Sequence, residues 1–64
     1  MKYKLTGKLY DEAEVAEMLG ISTFTLAEIR KAGLISYIQV SPRRIKYTIH
    51  QIEDYKLKQT KYIA

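Results

Sequence analysis

Gly20-Ile21-Ser22 constrains this chain more than any other stretch, because it separates two short segments whose apolar residues recur at helical spacing. Before it, Val15, Ala16 and Leu19 form one apolar face, with Met18 at the edge. After it, Leu26 and Ile29 form another. Glycine takes up the left-handed backbone that ends a helix, and serine is a favoured N-cap. One helix therefore stops at Gly20 and a second starts at Ser22, with a tight bend between them. Ala16 is small enough to let the two approach closely, and Ile21 plugs the gap at the bend. Six apolar or small residues in phase around one glycine predict a helix-turn-helix.

Neighbouring signals set the other elements. Asp11 and Glu14 have the spacing of a capping box, so the first helix is expected over 11–19. Acidic residues in its first turn suit the positive end of the helix dipole. The second helix is expected over 22–32, with Gly33 as its stop. Beyond Gly33 the period changes. Leu34 to Val40 is β-branched and aromatic, and Arg44 to Tyr47 alternates basic with apolar. Two strands joined through Ser41-Pro42-Arg43 then give a hairpin over 35–47. Thr48 and Gln51 form a second capping box, predicting a third helix over 48–59 with Ile49, Ile52 and Tyr55 buried. Residues 1–8 are expected as an arm or strand. The chain is expected to fray from Lys58 into a tail over 60–64. Breakers fall at Gly7, Gly20, Gly33 and Pro42, with no repeats or linkers, so residues 1–64 read as one small, mainly helical α+β domain.

A chain of 64 residues buries a thin core, and this one has no cysteine to reinforce it by disulfide or thiolate-bound metal. Apolar residues make up 47% and charged residues 28%, but no apolar run approaches the ~20 residues of a membrane span. Met1 to Gly7 lacks the apolar stretch of a secretory signal, so a cytoplasmic protein without membrane contact is expected. His50 is the lone histidine, and no carboxylates stand at ligand spacing around it. Ser22, Ser36 and Ser41 have no neighbouring base, and no glycine-rich phosphate loop is present. The acidic residues read mostly as one solvated helix face. Catalysis, a metal, a cofactor and a small-molecule ligand are all unexpected.

The net charge of +4 favours a polyanionic partner only mildly, and solubilising surface charge would explain it equally well. Its distribution is more informative. Lys2, Lys4 and Lys8 precede the acidic block of Asp11, Glu12, Glu14 and Glu17; cations return at Arg43, Arg44 and Lys46, then at Lys56, Lys58 and Lys61.

Taken together, Glu14-Val15-Ala16-Glu17-Met18-Leu19-Gly20-Ile21-Ser22, Lys31-Ala32-Gly33-Leu34-Ile35, Arg43-Arg44-Ile45-Lys46-Tyr47 and Ile52-Glu53-Asp54-Tyr55 resemble the excisionase-type DNA-binding domain. That family is a winged helix-turn-helix related to the MerR-like group, and the resemblance spans about Leu9 to Leu57. It implies a second helix directed at the major groove and a hairpin wing directed at phosphates or the minor groove. It also implies a setting in phages and other mobile elements, as a recombination directionality factor or regulator. On this resemblance the second helix presents Ser22, Thr23, Phe24, Ala27, Glu28 and Lys31 to DNA, and the wing presents Arg43, Arg44 and Lys46.

The chain departs from the family pattern in the second helix. Family members often carry arginine at the places of Thr23, Phe24 and Glu28, where it reads guanine and neutralises phosphate. Glu28 can instead accept from a cytosine amino group and Phe24 can touch a thymine methyl. Arg30 and Lys31 are the helix's only cations, near its C-terminal end. Six tyrosines are present. Tyr10, Tyr47 and Tyr55 fit the core or its edge; Tyr3, Tyr37 and Tyr62 suit a protein interface or stacking on unpaired bases, although for each singly filling a gap in a small core is the simpler reading, and Phe24 suits an interface, a base contact or tucking against the N-terminal strand. The leading expectation is a DNA-binding accessory protein, on duplex or single strands. The alternative is an interaction subunit that docks on a larger DNA-processing enzyme such as an integrase, helicase or polymerase and contacts single strands secondarily. A transcriptional repressor ranks last, because no dedicated dimerisation helix is evident.

Overall fold

Asp11 starts the first helix by satisfying its unpaired N–H groups. Its Oδ1 accepts from the Glu14 N–H at 2.8 Å, and the Glu14 carboxylate accepts from the Asp11 N–H at 3.1 Å. In the computed structural model, which describes residues 7–61, helix α1 then runs Glu12–Leu19. Tyr3, Tyr62 and the expected arm and tail at positions 1–6 and 62–64 lie outside the described residues.

Gly20 ends α1 in the left-handed conformation, at φ 72° and ψ 31°. The Ile21 N–H bonds the Ala16 carbonyl at 2.9 Å and the Gly20 N–H bonds the Glu17 carbonyl at 3.1 Å. This pair of bonds is the Schellman arrangement, which satisfies carbonyls the helix would leave open. Ser22 caps helix α2, Thr23–Lys31, by accepting from the Thr25 N–H at 3.1 Å. The end of α2 repeats the Schellman pattern, with the Gly33 N–H on the Arg30 carbonyl at 2.9 Å and the Leu34 N–H on Ile29 at 3.1 Å.

The sheet departs from a simple two-stranded hairpin. Strands β1 (Tyr10–Asp11), β2 (Ile38–Ser41) and β3 (Arg44–Tyr47) form one antiparallel sheet in the order β1-β3-β2. β1 follows the region expected as an arm, and it exists because β3 offers it a ladder: Tyr10 pairs with Tyr47 and Asp11 with Lys46. The strand expected from Leu34 begins only at Ile38. Leu34 is occupied in closing α2, and Ile35 turns inward as a core residue, so neither is free to pair. Between Gln39 and Ser41 the β2–β3 register shifts, leaving Val40 as the extra residue of a bulge. The turn residues are Pro42 and Arg43.

Thr48 caps helix α3, Ile49–Gln59, through the second capping box, with bonds of 3.1 and 3.0 Å to and from Gln51. The helix continues through Lys58, where the sequence predicts fraying. Each element contributes little apolar surface, and the core is correspondingly small: Val15 and Ala16 from α1, Leu26 from α2, then Ile35, Tyr47 and Ile52. Tyr10, Leu19, Ile21, Ile29, Ile45, Ile49 and Tyr55 pack around it. No helix among the described residues is long and apolar enough to cross a membrane.

Candidate nucleic-acid interface

Helical geometry decides which side chains of α2 face outward. Leu26 is buried and Ile29 half-buried, so the opposite stripe is the solvent-facing one. Ser22, Thr23, Glu28 and Lys31 are exposed, and Ala27 is half-buried. Phe24 is the largest apolar group on this stripe and is 70% exposed. A phenyl ring left that open covers nothing within the described residues and adds nothing to the core.

Arg30 does not belong to that stripe. Its Nε donates to Glu12 Oε2 at 2.6 Å, and the Tyr47 hydroxyl donates to the same oxygen at 2.8 Å. Glu12 thus ties α1 to α2 and to β3 through one atom. The Arg30 guanidinium also lies 5.6 Å from the centre of the Tyr37 ring. The bond to Glu12 raises the pKa of Arg30 above the ordinary guanidinium value. Burial, followed by the Glu12 bond, pushes the Tyr47 phenol well above its usual range.

This triad sets Glu12 and Arg30 apart from the other charges of the two helices. The acidic residues are not uniformly a solvated face, since Glu12 is an internal acceptor with its side chain 25% exposed. Arg30 is half-buried and committed to Glu12, so Lys31 is the only exposed cation of α2. No local spacing announces the triad, because its bonds join residues 18 and 35 positions apart in the chain. The one signal for it in the sequence is that a buried tyrosine hydroxyl requires a partner.

The hairpin carries the cations that α2 lacks. Side chains alternate along β3, so buried Tyr47 and half-buried Ile45 share one face while Arg44 and Lys46 point to the other. Arg43 extends from the turn beside them and is exposed. Among the described residues, none of these three cations makes an ion pair; the pairs present are Lys8–Glu14, Arg30–Glu12 and Lys58–Asp54. Arg43, Arg44 and Lys46 line one concavity of about 330 Å³ together with Ile45, Asp11 and Glu12. Clustering like charges costs energy unless water or a counter-ion screens them.

Of the sequence-derived site residues, Arg43, Arg44 and Lys46 therefore converge on one surface, and Ser22, Thr23, Phe24, Ala27, Glu28 and Lys31 lie on another. No α2 residue lines the hairpin concavity. Glu12 joins the two, bonded to Arg30 of α2 and lining the concavity at the same time. Tyr37 is 39% exposed, and one face of its ring is taken by Arg30.

No protein-family model, curated protein or solved structure matches this chain.

Proposed function

We propose that this chain is a winged helix-turn-helix module of the excisionase-type, MerR-like kind, acting as a nucleic-acid-binding accessory protein of a phage or other mobile element without catalysis of its own. The observation that carries the reading is the convergence of Arg43, Arg44 and Lys46, without internal ion pairs, on one concavity of the hairpin. Phosphates supply the charge that such a surface lacks, and displacing their counterions gives the binding free energy. The two Schellman-ended helices support the helix-turn-helix part of the reading.

Withdrawal of Arg30 shifts the expected balance between the two surfaces. The wing holds the backbone, and α2 contributes Lys31 plus short polar contacts from Ser22, Thr23 and Glu28. The test is fluorescence anisotropy with matched single- and double-stranded oligonucleotides over a salt series. The Arg43→Ala/Arg44→Ala double variant should bind more weakly, and its salt slope should fall by ~0.7–0.9 for each phosphate it no longer neutralises. A slope equal to that of the parent protein removes the wing from the mechanism.

Phe24 favours a second reading, in which α2 docks on a larger DNA-processing protein such as an integrase, helicase or polymerase. Its 70% exposure at the centre of a cation-poor stripe suits an interface anchor better than a phosphate contact. Phe24→Ala should then abolish partner capture while DNA affinity stays within about twofold. Loss of DNA affinity with capture intact would reverse the assignment. The two readings are compatible in one small adaptor.

A further inference from the structure

The hairpin concavity holds acceptors as well as cations, and they do not neutralise one another. Asp11 and Lys46 stand directly opposite in the β1–β3 register, where opposite charges ordinarily pair. Yet no ion pair links Asp11 or Glu12 to Arg43, Arg44 or Lys46 among the described residues. The reason is that both carboxylates are already restrained. Asp11 Oδ1 is held by the Glu14 N–H as the cap of α1, and Glu12 Oε2 is held by Arg30 and Tyr47. Each is left with one oxygen, Asp11 Oδ2 and Glu12 Oε1, that accepts no hydrogen bond among the described residues.

A ligand that suits this surface carries a negative group and hydrogen-bond donors a few ångströms apart. A free phosphate meets only the first part of that requirement. The volume of about 330 Å³ is at the lower end of the ~300–1,000 Å³ of ligand pockets, room for about one nucleotide. We propose that the concavity binds one splayed nucleotide of a single strand, its phosphate on Arg43, Arg44 and Lys46 and the exocyclic amino group of its base on Asp11 and Glu12. This rests on the nucleic-acid reading above and gives it a strand and base preference. Single-strand recognition commonly reads unstacked bases at such edges. Cytosine offers an amino donor at C4, whereas uracil offers a carbonyl oxygen there, which would face the carboxylates as acceptor against acceptor.

The test compares oligo-dC with oligo-dU of equal length by fluorescence anisotropy at neutral pH and low salt. Both are pyrimidine strands of equal charge that differ at C4; oligo-dC stacks on itself more strongly than oligo-dU, which works against the expected preference and cancels when the parent is compared with its variants. The parent protein should bind oligo-dC about tenfold more tightly, a difference of ~1.4 kcal/mol. Asp11→Asn keeps an N-cap, since asparagine and aspartate cap about equally, but replaces an acceptor oxygen with a donor. It should bring the two affinities to within about twofold, mainly by strengthening oligo-dU. Asp11→Ser, also a competent cap, should level them too, and melting curves report whether each variant is folded. Equal parent affinities, or an oligo-dC preference that survives in both folded variants, would overturn this proposal and leave phosphate binding by the wing intact. If the parent protein binds neither strand nor a duplex, the nucleic-acid reading falls with it.

Discussion

Replacing Tyr47 with phenylalanine removes one oxygen from the protein interior and leaves the ring in place. Tyr47 has no exposed surface, and its hydroxyl donates to Glu12 Oε2 at 2.8 Å. A hydrogen bond to a charged acceptor contributes ~1.5–3 kcal/mol. Glu12 and Arg30 are 25% and 17% exposed, so water reaches the vacated position and the figure falls towards about 1–2 kcal/mol. In a domain of this length about 1 kcal/mol displaces Tm by ~4–8 °C, so Tyr47→Phe should melt roughly 5–15 °C lower. Urea unfolding followed by circular dichroism gives the free energy directly, and its pH dependence supplies a second criterion. The native phenol holds its proton well above the ordinary tyrosine range, first through burial and then through the Glu12 bond. A raised native pKa stabilises fully below the unfolded value of about 10, and that stabilisation is lost as pH climbs beyond it. The gap between parent and Tyr47→Phe should therefore be constant up to pH ~9 and narrow above pH ~10, with the other tyrosines cancelling. A gap below ~0.5 kcal/mol at neutral pH, or one that widens in alkali, would refute the reasoning.

Substitutions at three other positions probe the supports of the helix pair. Gly20→Ala should cost about 1–2 kcal/mol in urea unfolding, entirely from the left-handed backbone, because no atom lies within 4 Å of the added Cβ. Gly20→Asn should recover part of that loss. Ser22→Ala removes the oxygen that caps α2 and should cost ~1 kcal/mol by the same measurement, while Ser22→Gly should cost only a few tenths. Leu26→Ala opens the middle of a six-residue core and should cost ~2–5 kcal/mol, enough to leave much of the protein unfolded at ambient temperature by circular dichroism.

The helices are legible in the chain because their limits depend on residues at most five positions apart. Asp11 and Glu14, Ser22 and Thr25, and Thr48 and Gln51 meet through bonds that any chain of that local order can form. Gly20 and Gly33 close their helices through backbone geometry alone. The outward stripe of α2 and the cationic hairpin follow from the same short-range periodicities. The start of β2 is less legible. Ile35 has a strand-like side chain, but burial beside Val15, Leu26 and Ile52 outweighs that preference.

Contacts between distant residues cannot be read in this way. Nothing within a few positions of Glu12 indicates that it will accept from Arg30 and Tyr47 instead of facing water. Nor does the local order around Tyr10 indicate that β3 will pair with it. Both depend on where the helices and strands come to rest after collapse, which is set by the packing of the whole core. Local order in the chain thus established the three helices and placed their caps. Tertiary packing decided which charges face solvent: it drew Arg30 inward and held Glu12 between Arg30 and Tyr47. The physical reason is that a cap is satisfied within one helical turn, whereas a half-buried charge such as Arg30 finds its partner only once the chain has folded around it.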